Sequence, residues 1–125
     1  MSYYVIKIWT DGTVERYPSE QKPSLDFLYG LIDCDLVETV NLWGNKIMIV
    51  DEEGWLKESP VPNPRASLLY SGSLSSIAGN VVIMKRVIND WRALTGPETE
   101  ETLRDIDGLS KFFAILHDIG EEGKS

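Results

Sequence analysis

Residues 3–9 form an almost wholly apolar run rich in β-branched and aromatic side chains, and this predicts a strand. Tyr4, Ile6 and Ile8 share one face, with Val5, Lys7 and Trp9 on the other. Asp11-Gly12 is a turn signal, and residues 13–17 return as a second strand. After a polar loop over 18–23, Ser24 is placed to cap a helix, because its hydroxyl can satisfy a free amide of the first turn. Leu25, Leu28, Tyr29 and Ile32 follow at helical spacing, and Gly30 limits the helix to two or three turns.

Residues 36–42 read as the next strand, with Gly44-Asn45 closing a hairpin onto 46–50. Ile47, Met48, Ile49 and Val50 are apolar on both faces, which predicts a central strand. Glu53-Gly54 turns the chain, and Trp55-Leu56 reads as a short added strand. Pro60, Pro62 and Pro64 impose an extended path, followed by a helical turn over 65–70. A loop over 71–76 leads to a strand over 81–87, and Trp91 and Leu94 suggest a further short one. Pro97 suits a first helical turn, with Thr95 or Gly96 as cap. Leu103, Ile106, Leu109, Phe113 and Leu116 form a helical stripe reaching about residue 119, with Gly108 expected to bend or split it. Residues 120–125 are expected to fray.

The pattern predicts one α+β domain over residues 1–125. Its core is a mostly antiparallel sheet of five or six strands. The short early helix and the longer C-terminal helix are expected to pack on one face. The length suits a single domain. No apolar run approaches the roughly 18 residues of a membrane span, and the N-terminus lacks a basic region followed by an apolar stretch. The single cysteine, Cys34, leaves no intramolecular disulfide and suits a reducing cytosol, so a cytoplasmic protein is expected. The net charge of −8 argues against direct nucleic-acid binding, which demands Lys and Arg. Eight acids against three bases fall in the last thirty residues, so the acidity concentrates in the C-terminal helix.

Several blocks, in order, resemble the family known as domain of unknown function 3846. Ser24-Leu25 to Leu28 and then Gly30 resemble its leading helix, and Val37-Glu38-Thr39-Val40 its V/I-E-x-V strand. Asp51-Glu52-Glu53-Gly54 with Leu56 resembles its D/N-E-E-G-K-L turn. Pro62-Asn63-Pro64-Arg65-Ala66-Ser67-x-Leu69 resembles its P-x-N-x-x-A-T/S-x-L loop. Ile77-Ala78-Gly79 then resembles its I-x-G segment, and Trp91-Arg92-Ala93-Leu94-Thr95 its closing F-x-x-L-T. The resemblance runs from about residue 5 to 103. Trp55 stands where the family commonly has Lys, and the segment after Leu103 is longer than in a minimal member. The family occurs mostly in phages, plasmids and integrative elements, and it has no established activity, cofactor or catalytic residue. The resemblance therefore implies an accessory, regulatory or host-interaction role.

Candidate chemistry is sparse. No nucleotide-binding glycine loop or H-E-x-x-H motif occurs, and the sequence points to no catalytic residue, metal site or cofactor. Asp51, Glu52 and Glu53 are consecutive, without the alternation of a calcium loop, and read as a solvated hairpin turn. Asp33 and Asp35 suit a helix-to-strand corner, and Cys34 a small buried hydrophobe. His117 sits late in the last helix with no nucleophile or orienting carboxylate indicated.

Asn63 and Arg65 are the leading polar candidates. In a proline-framed loop, Arg65 could fork onto a carboxylate or phosphate, which would make a small-ligand or nucleotide-binding module. In the structural reading Asn63 bonds local backbone and Arg65 pairs with Glu52, Glu53 or Glu58. Trp43 and Trp55 flank the central hairpin and suit an interface with a host or element-encoded protein, the alternative being partial burial against the sheet. The acidic helix also allows mimicry of DNA to inhibit a host nuclease, although its charge density falls below a duplex's and a solvated face explains it. The leading expectation is a non-enzymatic accessory protein acting by protein–protein contact.

Overall fold

A strand that is apolar on both sides needs cover on both sides, and that requirement organises the molecule. In the computed structural model, which describes residues 1–71 and 76–122 (117–122 as helical backbone only), seven strands form one sheet, antiparallel at every pairing. The strands are β1 (Tyr3–Ile8), β2 (Val14–Ser19), β3 (Val37–Asn41), β4 (Lys46–Asp51), β5 (Val81–Val87), β6 (Asp90–Arg92) and β7 (Leu94–Thr95). Five of them run in the order β2-β1-β5-β4-β3. The short β6 pairs with β5, and the short β7 pairs with β1.

The helices are α1 (Leu25–Ile32), α2 (Pro64–Ser71) and α3 (Gly96–Glu122). They divide between the two faces, which corrects the expectation that the early and C-terminal helices share one. Val5, Ile47, Ile49, Val82 and Met84 pack with Leu28 and Ile32 of α1. The alternate residues Ile6, Ile8, Met48, Val50, Val81 and Ile83 pack with Ala66 and Leu69 of α2 and with Ile106 of α3. Every residue of β4 is buried, as are the first four of β5. Leaving one face of these strands to solvent would strip cover from several Val, Ile and Met side chains, each worth about 1.5–3 kcal/mol of burial.

Local chemistry sets the helix ends. Ser24 Oγ accepts from the Phe27 amide at 3.1 Å, the predicted N-cap. The C-cap, Asp33, is left-handed at φ 64°, and its amide bonds the Tyr29 carbonyl. Thr95 opens α3 with a capping box. Its Oγ1 accepts from the Glu98 amide at 3.4 Å, and its own amide donates to Glu98 Oε1 at 2.9 Å. α3 passes through Gly108 unsplit. A Cβ there would meet open space, so that glycine costs helix propensity and nothing more.

The Trp55-Leu56 strand is replaced by a single 3-10 turn, Gly54–Leu56. The Leu56 amide bonds the Glu53 carbonyl at 2.9 Å. Gly54 lies so close to Ala78 that a Cβ would sit 2.7 Å from its carbonyl oxygen, which leaves no room for a paired strand. Of the loop expected over 71–76, Ser71 ends α2, and residues 72–75 lie outside the described residues, as does the His117 side chain.

Candidate functional site

The proline-framed loop is built around Asn63. Its side chain is fully buried, and all of its polar groups are engaged. Nδ2 donates to the carbonyls of Ile8 at 3.1 Å and Gly79 at 2.9 Å, and Oδ1 accepts from the Ala66 amide at 3.1 Å. Its backbone amide donates to the Ile77 carbonyl, and its carbonyl accepts from both the Ser67 amide and Ser67 Oγ. Asn63 therefore caps α2, ties the end of β1 to the segment entering β5, and presents nothing to solvent. Ser67, also buried, completes the joint, with its Oγ accepting from the Ile77 amide at 2.9 Å.

Arg65 reaches out from the same joint. Nη1 donates to the Gly12 carbonyl at 2.6 Å and Nε to Ser110 Oγ at 3.1 Å. It thus latches the β1–β2 turn to α2 and α3. None of Glu52, Glu53 and Glu58, the partners anticipated for it, forms an ion pair with it. Beside it lies a shallow depression of about 290 Å³ lined by Thr10, Asp11, Pro64, Leu68 and Ser110.

The two hairpin tryptophans differ. Trp43 packs partly buried under α3, and its Nε1 donates to Asp105 Oδ2 at 2.9 Å. Trp55 is 45% exposed and carries its indole on the surface, with Nε1 donating to the Ser76 carbonyl at 3.2 Å. Leu56 and Val61, at 81% and 54% exposure, lie on the same turn and the loop after it. Gly54 packs on Ala78, and the Gly79 amide bonds the Val61 carbonyl at 2.8 Å, so the residues 77–79 strap fixes both ends of this apolar ridge. Trp55 and the Asn63–Arg65 loop thus share one support, while Trp43 is held to α3 through Asp105.

Sequence reasoning missed a polar corner where α1 meets β4. Asp51 is buried there. Oδ1 accepts from the Glu53 amide at 2.9 Å, and Oδ2 pairs with Lys57 at 2.9 Å. Lys57 also donates to the Asp33 carbonyl at 3.2 Å. Burial and the Asp51 carboxylate push the Cys34 thiol up to about 11, so it is not a thiolate at neutral pH. The corner lines a depression of about 350 Å³, yet among the described residues no group of His, Cys, Asp or Glu is arranged to hold a metal. The helix-to-strand reading of Asp33 was the available signal. The Lys57 partner could not be seen, because 24 positions separate it from Asp33.

Lys7 was also missed as a buried charge. Its ammonium lies 3.3 Å from the centroid of the Trp9 ring, and burial lowers its pKa, partly offset by Glu15 and Asp33. Trp9 Nε1 is buried beside it with no hydrogen-bond partner among the described residues.

One family model, that of the domain of unknown function 3846, matches the chain over residues 5–106. The chain belongs to this family. No curated protein and no solved structure matches it. Within the matched span lie the contacts that close the fold: Asp51 in its turn, Gly54 against Ala78, Asn63 and Ser67 at the joint, and Gly79 at φ 89°. The match ends at Ile106, the last helix residue in the core, so the part of α3 beyond it lies outside the family pattern. No helix among the described residues is long and apolar enough to cross a membrane.

Proposed function

We propose that this protein is a small cytoplasmic accessory or regulatory factor of a phage or mobile genetic element, acting by protein–protein contact without catalysis. The observation that carries this reading is the exposed ridge of Trp55, Leu56 and Val61 on a turn braced at both ends. A rigid indole combines large contact area with little entropy to lose, the character of an interface anchor. The mobile-element setting rests on the family resemblance.

A small-ligand or nucleotide-binding role for the Asn63–Arg65 loop draws less support. Asn63 is sealed in the fold, and two of Arg65's donors are committed to Gly12 and Ser110. DNA mimicry by α3 also loses ground, because Glu98, Glu100, Asp105 and Asp107 are engaged by Arg92, Arg16, Trp43 and Lys111.

The test is affinity capture from host lysate with wild type, Trp55→Ala and Trp43→Ala, followed by calorimetry with each purified partner. A partner held by wild type and weakened at least about tenfold by Trp55→Ala supports the ridge. A partner held equally by Trp55→Ala and a Leu56→Ala/Val61→Ala double variant removes it. Trp43→Ala reports on stability through its Asp105 bond.

A further inference from the structure

The two edges of the sheet are treated differently by the sequence, and the difference points to a second copy of this chain. Hydrogen bonding in an antiparallel ladder alternates, so every other residue of an edge strand turns its amide and carbonyl outward. In β2 the outward residues follow from the Trp9 amide bonding the Thr13 carbonyl, which sets the phase of the hairpin. Val14, Arg16 and Pro18 therefore face out. Pro18 has no amide to offer, and Arg16 is paired with Glu100 of α3. This edge is blocked in the usual manner of natural sheets.

The β3 edge has no such block. The Leu42 amide bonds the Lys46 carbonyl, and the Glu52 amide bonds the Leu36 carbonyl. With the observed register, Leu42, Val40, Glu38 and Leu36 face β4, and Val37, Thr39 and Asn41 turn both backbone groups to the open side. Among the described residues no backbone or side-chain group bonds these outward amides and carbonyls. No proline or lysine stands in β3.

We propose that β3 pairs with β3 of a second copy, antiparallel about a two-fold axis at Thr39. Val37 then lies opposite Asn41 of the second copy and Thr39 opposite its counterpart, so that each outward group meets an outward group. Glu38 falls opposite Val40 rather than opposite another Glu38, which avoids like charges in register.

Charge selects this occupant. The chain entering β3 is acidic, with the exposed Asp35 two residues ahead of Val37 and Glu52 bonded alongside to Leu36. Its far end is basic, because Arg86 reaches Asn41 Oδ1 at 3.4 Å. Antiparallel self-pairing brings the basic end of one copy to the acidic end of the other, at both ends at once. The pairing is independent of the Trp55 ridge, which lies after β4 on the turn at Gly54–Leu56.

Sedimentation equilibrium of the full chain over a range from about 10 μM to about 1 mM tests this directly. The expected result is a concentration-dependent dimer that Thr39→Pro weakens at least about tenfold, with unchanged circular dichroism, since the Thr39 amide takes no part in the β3–β4 ladder. Asp35→Arg or Arg86→Glu alone weakens the dimer, and the two together restore it. Amide exchange on the wild type guards against a misfolded variant. Val37, Thr39 and Asn41 gain protection as concentration rises, while the amides that face β4 do not change. A wild type that stays monomeric across the range, or a dimer that Thr39→Pro leaves intact without added exchange at these three amides, overturns the proposal.

Discussion

Glu98 is the residue at which one substitution tests the account of how α3 is anchored. Its carboxylate takes a fork from Arg92, with Nη1 to Oε1 at 2.8 Å and Nη2 to Oε2 at 3.1 Å, and also accepts the Thr95 amide. These contacts, Arg92 foremost and the Thr95 amide next, outweigh partial burial and hold its pKa at about 2 instead of 4.5. A difference of that size between the folded and unfolded chain corresponds to about 3 kcal/mol, which partial solvent screening reduces to about 2 kcal/mol. Because the folded value is the depressed one, the stabilisation is complete above pH 4.5. It fades as pH falls from 4.5 towards 2 and is gone below.

Glu98→Gln keeps the shape and an acceptor for the Thr95 amide but removes the charge. Urea unfolding followed by tryptophan fluorescence should show a loss of about 2 kcal/mol at pH 7, with Tm lower by roughly 5–10 °C. The gap between variant and wild type should narrow through pH 4 and 3 and close near pH 2. A gap that stays constant with pH, or one smaller than about 0.5 kcal/mol at pH 7, would refute the assignment of this charge.

Three further outcomes are expected. Asn63→Ala strands the Ile8 and Gly79 carbonyls and the Ala66 amide in the interior, so equilibrium unfolding should record a loss of about 3–4 kcal/mol, well beyond an ordinary surface substitution. Gly54→Ala forces a methyl against the Ala78 carbonyl and should lower stability by about 2 kcal/mol, whereas Gly108→Ala, in open space, should leave it unchanged or raise it slightly in thermal melts. Cys34, whose thiol is raised to about 11, should alkylate with iodoacetamide more slowly than glutathione at pH 7.5, and a rate equal to glutathione's would contradict its burial.

What could be read from the sequence was mostly local. The Ser24 cap, the hairpin at Gly44-Asn45 and the buried β4 rest on neighbouring residues and on periodicity, and each lies where the pattern indicated. The division of the helices between two faces was implicit in the apolar run of β4, since a strand hydrophobic on both sides cannot be covered from one. Trp55-Leu56 looked like a strand because its context is tertiary: only the approach of Ala78 to Gly54 forces the tight turn. Asn63 stood out as a polar residue held by prolines, but its partners, Ile8 and Gly79, lie 55 and 16 positions away. Nothing nearby distinguishes a buried joint from an exposed contact. The same distance hid the Trp43–Asp105 bond, which turned one of two candidate anchors into a brace.

The position of β1 in the sheet also bears on how the chain assembles during synthesis. Ile6 pairs with Ile83, and Tyr4 with Leu94, so the inner edge of β1 waits for β5 and β7, which are made much later. Until β5 leaves the ribosome, the β1–β2 hairpin has one open edge and an uncovered row of Val5, Ile6 and Ile8. Pairing this remote in sequence folds slowly and leaves sticky intermediates. The nascent chain therefore carries its greatest aggregation hazard early, and any truncation before Val81 should yield insoluble product however well its remaining hairpins form.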